Sequence, residues 1–216
     1  VSGPTARYYR RLAWASARFA ALADLALLSL GGRLKFREKL SGRFADVLSW
    51  LYLGTAALRR FEAEGRREED LPLVRWALDW SLAQIQEAFA GLYRNFEGPL
   101  AFWMRGPAAL WARLNPLGAP PSDEEGARLA AILQTPGAQR DRLTAGIFLA
   151  DAGQAVGRIE RALDLAVRSR ESPQDEALAR EAAEARRDAI EVDSFTLEEY
   201  LGLTANPTEA EIAATA

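Results

Sequence analysis

The chain has 216 residues with no histidine and no cysteine, which excludes disulfide bonds, a thiolate nucleophile, an imidazole base and histidine or cysteine metal ligands. Its net charge of −3 disfavours a surface-wide contact with phosphate backbones, so no nucleic acid partner is expected. A hydrophobic fraction of 49% beside 26% charged residues is ordinary for a globular protein.

The amino-terminal sequence lacks the basic and then apolar pattern of a secretory leader. The longest apolar stretch, 19–30, is shorter than the roughly 20 residues that a membrane span requires, and it contains Asp24. This stretch therefore predicts a buried helix, and a cytoplasmic location is expected.

Apolar residues recur every three or four positions over most of the chain, and this spacing predicts helices and no sheet. A first helix is expected over 5–30, where Gly31-Gly32 can adopt the left-handed backbone that ends a helix. A second helix is expected over 34–64, ending at Gly65. Because a short glycine link separates two long amphipathic helices, they are predicted to form an antiparallel hairpin.

A third helix is expected over 70–93, with Pro72 in its first turn. Together with the hairpin it is predicted to form a bundle core over 5–95. Gly42 and Gly54 lie inside the second helix, where a small residue often allows another helix to approach closely.

The region 96–121 contains five prolines and is predicted to be an aromatic and proline-rich connector, with short helices on either side of Gly106-Pro107. Ser122 and Glu125 have the spacing of a capping box, which predicts the start of a helix. The smaller helices expected within 122–216 are 122–133, 139–149, 156–168 and 173–191. The whole chain, 1–216, is thus predicted to be a single all-α domain.

One patch is not generic, and it combines aromatic and basic residues: Phe102, Trp103, Arg105, Trp111 and Arg113. Aromatic rings beside basic groups are typical of a helix at a membrane interface. The alternative is a lid in which the rings pack on the bundle, as most tryptophans in globular proteins are packed. The sequence leaves both interpretations open and favours the lid.

The charged residues have structural interpretations. Asp24 lies among leucines and is expected to pair with a basic residue of the returning helix, with Lys35 as the candidate partner. The acidic runs 68–70 and 123–125 lie at predicted helix starts, where carboxylates favour the helix dipole, so no metal site is expected. The cluster of Arg7, Arg10 and Arg11 is expected to be a solvated helix face. No residue is predicted to be catalytic.

Several segments in order resemble the C-terminal helical region of bacterial FadE-type acyl-CoA dehydrogenases. They are FAALADLALLSLGGRLK at 19–35, LSGRFADVLSWLYL at 40–53, EDLPLVRWA at 69–77 and IEVDSF at 190–195. The resemblance covers about 5–150 well and 155–200 loosely.

The resemblance implies an enzyme that uses FAD to dehydrogenate acyl-CoA thioesters at Cα–Cβ in fatty-acid β-oxidation. In that family the flavin site and the glutamate base belong to a preceding catalytic core, so no catalytic or cofactor-binding residue is carried over, and this segment alone is expected to be inactive. The role implied is to pack on that core, with a homodimer contact and attachment to the cytoplasmic face of the inner membrane as further roles. A membrane-interface module and a free-standing helical scaffold are the alternatives.

Overall fold

A computed structural model of the chain describes residues 3–148 and 151–193, and these residues form helices and no strands. The predicted all-α class is confirmed. The α-helices are α1 (Ala6–Leu30), α2 (Glu38–Ala63), α3 (Leu71–Asn95), α4 (Ala101–Trp103), α5 (Ala109–Leu114), α6 (Asp123–Gln134), α7 (Ala138–Thr144), α8 (Ala155–Glu171) and α9 (Glu176–Asp193). Two 3₁₀ segments (Gly31–Phe36 and Glu68–Asp70) and one π-helical turn (Met104–Ala108) connect some of them.

The predicted hairpin of two long helices is confirmed for α1 and α2. Gly31 has a φ of +52°, a left-handed value that ends α1 as expected. The link is longer than predicted, because a 3₁₀ turn follows and α2 begins only at Glu38. The Phe19 and Phe44 rings meet edge to face across the hairpin, with 5.9 Å between their centroids.

The core of the bundle comes from α1, α2 and α3, and its largest fully buried side chains include Tyr8, Val47, Leu58, Leu78, Leu82, Ile85 and Phe89. Gly54 lies where the three helices meet: a methyl group built on it would be 3.3 Å from Leu12 Cδ2 and 3.4 Å from Ser81 Cβ. The close approach predicted at this glycine is therefore confirmed. At Gly42 it is wrong, because that residue is exposed with no atom within 4 Å of an added methyl.

The region predicted as a connector contains a fourth helix of the bundle. α4, the π turn and α5 are continuous and are called here the 101–114 helix. It packs on α3, and Met104, Ala112 and Leu117 join the core that α1–α3 form. After it, the Leu117 N–H donates a hydrogen bond to Gln86 Oε1 at 3.0 Å. The short helices expected on either side of Gly106-Pro107 are therefore present, but they form one continuous helix.

Pro107 lies inside this helix, where sequence reasoning expected a break. Proline lacks the N–H of the helical hydrogen bond and its ring clashes with the preceding turn, and a π turn widens the helix by one residue there. The extra residue also sets the register. Residues i and i+7 share a face in an α-helix, so one inserted residue makes this spacing eight, as for the buried pair Met104 and Ala112.

The chain divides into two compact units, Val1–Ala131 and Ile132–Ala216. The first contains the bundle. In the second, α8 and α9 pack together around Ala162, Leu165 and Ala185. The single domain expected from the sequence stays a prediction. The helix expected over 139–149 is shorter than predicted, because α7 ends at Thr144; residue 149 itself lies outside the described residues.

The capping box is confirmed at the start of α6. The Glu125 N–H donates to Ser122 Oγ at 3.2 Å, and the Ser122 N–H donates to Glu125 Oε2 at 3.0 Å. Both side chains thus satisfy backbone donors that the helix itself leaves free.

The stretch Ala6–Phe36 is long and apolar enough to cross a membrane by length and composition alone, and its most apolar 18-residue window has a mean hydropathy of 1.3. Only 22% of that window is buried. The buried helix predicted over 19–30 is wrong for its outer face. Leu27 and Leu28 are exposed there, while Leu22, Ala26 and Leu30 face the core. A core helix of a soluble protein can pass the same test of length and composition.

Candidate functional site

The aromatic and basic patch predicted from the sequence lies on the 101–114 helix. Phe102 is 85% exposed and Trp103 is 60% exposed, so neither ring caps the bundle, and the lid interpretation is wrong for both. Leu110 and Leu114 are also exposed. These four side chains (Phe102, Trp103, Leu110 and Leu114) are called here the apolar outer face.

The basic residues of the patch lie on one flank of this helix, facing α3. Arg105 and Arg113 line a cleft of about 540 Å³ with Tyr93 and Glu87. The Arg105 Nε donates a hydrogen bond to the Phe96 carbonyl oxygen at 3.1 Å, which fixes this side chain near the start of the helix. Burial raises the pKa of the Tyr93 hydroxyl in the same cleft.

Trp111 lies on the opposite flank, facing α1; it is 49% exposed, and its ring contacts the Arg18 side chain. The Arg18 guanidinium lies 5.0 Å from the centroid of the Trp111 ring and 5.4 Å from that of Phe89. Burial lowers the pKa of Arg18, and its Nη1 is buried without an acceptor among the described residues. Arg18 is therefore a partly desolvated cation held between two aromatic rings.

A second cleft, of about 420 Å³, lies beside this stack. It is lined by Arg7, Arg10, Arg11, Trp14, Arg18, Trp111, Asn115, Pro116 and Leu117. The solvated helix face expected for the first three arginines is thus one wall of a concave site. The signal in the sequence was a second stripe on α1, since residues 7, 11, 14 and 18 are spaced four, three and four apart.

Arg7 is anchored at the edge of this cleft. Its Nη2 lies 3.2 Å from Asp79 Oδ2, and it also donates to the Tyr8 hydroxyl. The Tyr8 side chain is fully buried and donates its own hydroxyl to the same Asp79 oxygen at 2.8 Å. Burial raises the pKa of Tyr8. The charge of Arg7 is therefore already compensated within the protein.

The ion pair expected between Asp24 and Lys35 is not among the ion pairs of the described residues. Asp24 is exposed on the outer face of α1, so the premise of a buried carboxylate is wrong. Lys35 is also exposed, and its Nζ lies 4.9 Å from the centroid of the Phe36 ring. Water can solvate this exposed carboxylate, so Asp24 needs no partner within the protein.

The second unit contains a two-pronged ion pair that the sequence did not predict. Arg140 Nη1 and Nη2 donate to the two carboxylate oxygens of Glu160 at 2.6 and 2.8 Å, and Arg140 Nε donates to the Leu133 carbonyl at 3.0 Å. The hydrogen bonds from Arg140 lower the pKa of Glu160. This pair joins segments 20 residues apart.

Acidic residues form no metal site in the part of the chain that the structure describes, where no group of three histidine, cysteine, aspartate or glutamate side chains is placed to hold an ion. The run 123–125 lies in the first turn of α6, and the run 68–70 forms the 3₁₀ turn before α3. Both positions favour helix starts, as expected.

The similarity to known proteins covers the whole first unit and part of the second. Residues 1–175 match the family described as acyl-CoA dehydrogenase, C-terminal, bacterial type. α9 and the 190–195 segment lie outside the matched residues. No solved structure matches the chain. Because the match covers most of the 216 residues, the chain belongs to the bacterial-type acyl-CoA dehydrogenase C-terminal family.

Proposed function

We propose that this chain is the structural C-terminal part of an FAD-dependent acyl-CoA dehydrogenase of fatty-acid β-oxidation, and that it packs on an upstream catalytic core. The match over residues 1–175 carries this proposal. The flavin, the base that removes the α-proton and the acyl-CoA site are assigned to the core, and this segment alone has no dehydrogenase activity.

No flavin site is proposed in this chain. The cleft formed by Arg37, Glu38, Lys39, Arg43 and Glu97, for example, is lined mostly by charged side chains. A cofactor site usually encloses most of its ligand in apolar walls. No step of the reaction is therefore assigned to this chain.

The surface proposed for the core is the apolar outer face of the 101–114 helix. Its four exposed apolar side chains lie on one helix, and apolar side chains clustered on a surface often mark interaction sites. Burial against a partner stabilises such side chains by about 25 cal/mol for each Å² removed from water.

The first test is the reading frame upstream of Val1 in the gene. A dehydrogenase core encoded there in frame supports the proposal, and a start codon adjoining Val1 supports a free-standing helical scaffold. The purified chain of residues 1–216 is expected to show no flavin absorbance band and no oxidation of a long-chain acyl-CoA. Either activity in the isolated chain would contradict the proposal.

Hydroxyl-radical footprinting then tests the docking surface without any mutation. Oxidation of Phe102 and Trp103 is expected to be slower in the whole enzyme than in the isolated 1–216 chain. Tyr52, which is exposed on α2, is the matched control and should react equally in both. Equal rates at all three residues would reject this surface as the contact with the core.

A second candidate is contact with the cytoplasmic face of the inner membrane. The observation that favours it is the 101–114 helix itself, with exposed Phe102 and Trp103 beside Arg105 and Arg113. Co-sedimentation with vesicles containing anionic lipid is expected to fall for Trp103→Ala with Trp111→Ala, while Leu48→Ala with Tyr52→Ala on α2 is the control. Trp103→Ala alone is a further variant, because it leaves the contact between Arg18 and the Trp111 ring intact. Equal binding by all variants, or no binding by the parent chain, would exclude membrane contact through this helix.

A further inference from the structure

We propose that the cleft between α1 and the end of the 101–114 helix binds a nucleoside phosphate, with its phosphates on the arginines of α1 and its base on an indole ring. This inference concerns a surface other than the apolar outer face, and it does not depend on the proposed packing against a core. It rests on three observations: uncompensated charge, exposed aromatic faces and a concave shape.

The charge in the cleft exceeds what the protein neutralises. Of its four guanidinium groups, Arg7 is paired with Asp79. Arg10, Arg11 and Arg18 take part in none of the ion pairs formed by the described residues, and no carboxylate lines the cleft. Guanidinium groups bind phosphate oxygens with two parallel hydrogen bonds, so three of them together favour a phosphate ester with more than one phosphate.

Arg18 shows that this charge is held in place at a cost. A cation taken out of water without a counter-ion loses hydration free energy. The contacts of the Arg18 guanidinium with the Phe89 and Trp111 rings recover only part of that free energy. Its buried Nη1 has no acceptor among the described residues. An anion in the cleft would compensate the charge by attraction at close range, without needing to reach Nη1 itself.

The aromatic faces point to a ligand that carries a planar ring. Trp14 is 65% exposed and Trp111 is 49% exposed, and both line the cleft that the arginines form. Bases stack on such indole rings, and this stacking is tolerant of base identity. A volume of about 420 Å³ lies within the range of small-molecule sites.

The phosphate chemistry could also come from a lipid headgroup, but a headgroup leaves the indole rings without a planar partner. Extended nucleic acid is disfavoured by the net charge of −3 and by the separation of the other basic clusters. The combination of guanidinium groups and indole faces in one cleft therefore favours a free nucleotide.

Isothermal titration calorimetry on the 1–216 chain tests the proposal with ADP, pyrophosphate and adenosine as probes. ADP is expected to bind more tightly than either of the other two, because only ADP offers both the phosphates and the ring. Arg10→Gln with Arg11→Gln should weaken ADP binding by about tenfold or more, since two charge-assisted contacts are lost. Both side chains are exposed, so the fold is not expected to change.

The matched control is Arg59→Gln with Arg60→Gln, which removes the same charge from adjacent arginines of α2 outside the cleft. Trp14→Ala should also weaken ADP binding, while Trp103→Ala, an equally exposed tryptophan elsewhere, should not. Equal loss in the two arginine variants would show non-specific attraction and overturn the proposal. Binding of anionic vesicles with no heat from ADP would assign the cleft to lipid and also overturn it.

Discussion

Gly54 and Gly42 allow the packing of the bundle to be measured against an internal control. Both residues lie inside α2, so replacing either one by leucine raises helix propensity by the same amount, about 1 kcal/mol. The two positions differ in their surroundings. Gly54 is buried between α1 and α3, whereas Gly42 is exposed with open space around it.

The magnitude follows from the distances around Gly54. A Cβ there would lie 3.3 Å from Leu12 Cδ2, 3.4 Å from Ser81 Cβ and 3.7 Å from Leu78 Cδ2, so the three further carbons of leucine have no room. Overpacking of this kind typically costs about 1–3 kcal/mol. Gly54→Leu is therefore expected to destabilise the bundle by up to about 2 kcal/mol, and Gly42→Leu to stabilise it by up to about 1 kcal/mol.

Urea unfolding followed by tryptophan fluorescence is the assay. All six tryptophans belong to the first unit, so the signal reports on the bundle and not on the second unit. The difference between the two leucine variants isolates the packing cost, because the propensity gain cancels. Free energies of unfolding that agree within about 0.5 kcal/mol would show that α1 and α3 do not meet at Gly54 and would refute the reasoning.

Two further predictions concern single side chains. Ser122→Ala removes the capping box of α6 and is expected to cost about 1 kcal/mol of local stability, measured by amide hydrogen exchange in the first turn of α6. The control is Ser16→Ala, at an exposed position in the middle of α1. Equal exchange rates in the two variants would contradict the role of the cap. The depressed pKa of Glu160 implies stability that is fully present above its ordinary value of 4.5 and lost as the pH falls below it, since protonation breaks the pair with Arg140. Glu160→Gln should therefore destabilise α8 at neutral pH and weaken the dependence of its stability on acid, as followed by hydrogen exchange. Glu176→Gln, which removes a highly exposed ion pair with Arg180, should do neither. An unchanged acid dependence in Glu160→Gln would show that the pair with Arg140 does not cause it.

The family could be recognised from the sequence because several segments of the first two thirds occur in a fixed order, and the match over residues 1–175 confirms it. The candidate site was predictable only in part. Phe102, Trp103 and Trp111 stood out as aromatic residues near arginines, but the sequence could not say which ring contacts another helix. The Trp111 ring contacts Arg18 of α1, which is 93 positions away in the chain, and contacts of that range leave no local pattern.

By itself the sequence determined the helices and most of their ends, because apolar spacing, Gly31, Gly65 and the Ser122–Glu125 box act within a few residues of one another. Tertiary structure decided what happens at Pro107. Local chemistry favours a break there, but burying Met104 and Ala112 on the same bundle favours a continuous helix, and a π turn satisfies both. Tertiary structure also placed the arginine stripe of α1 against Trp111, because a concave site exists only where two separate helices meet.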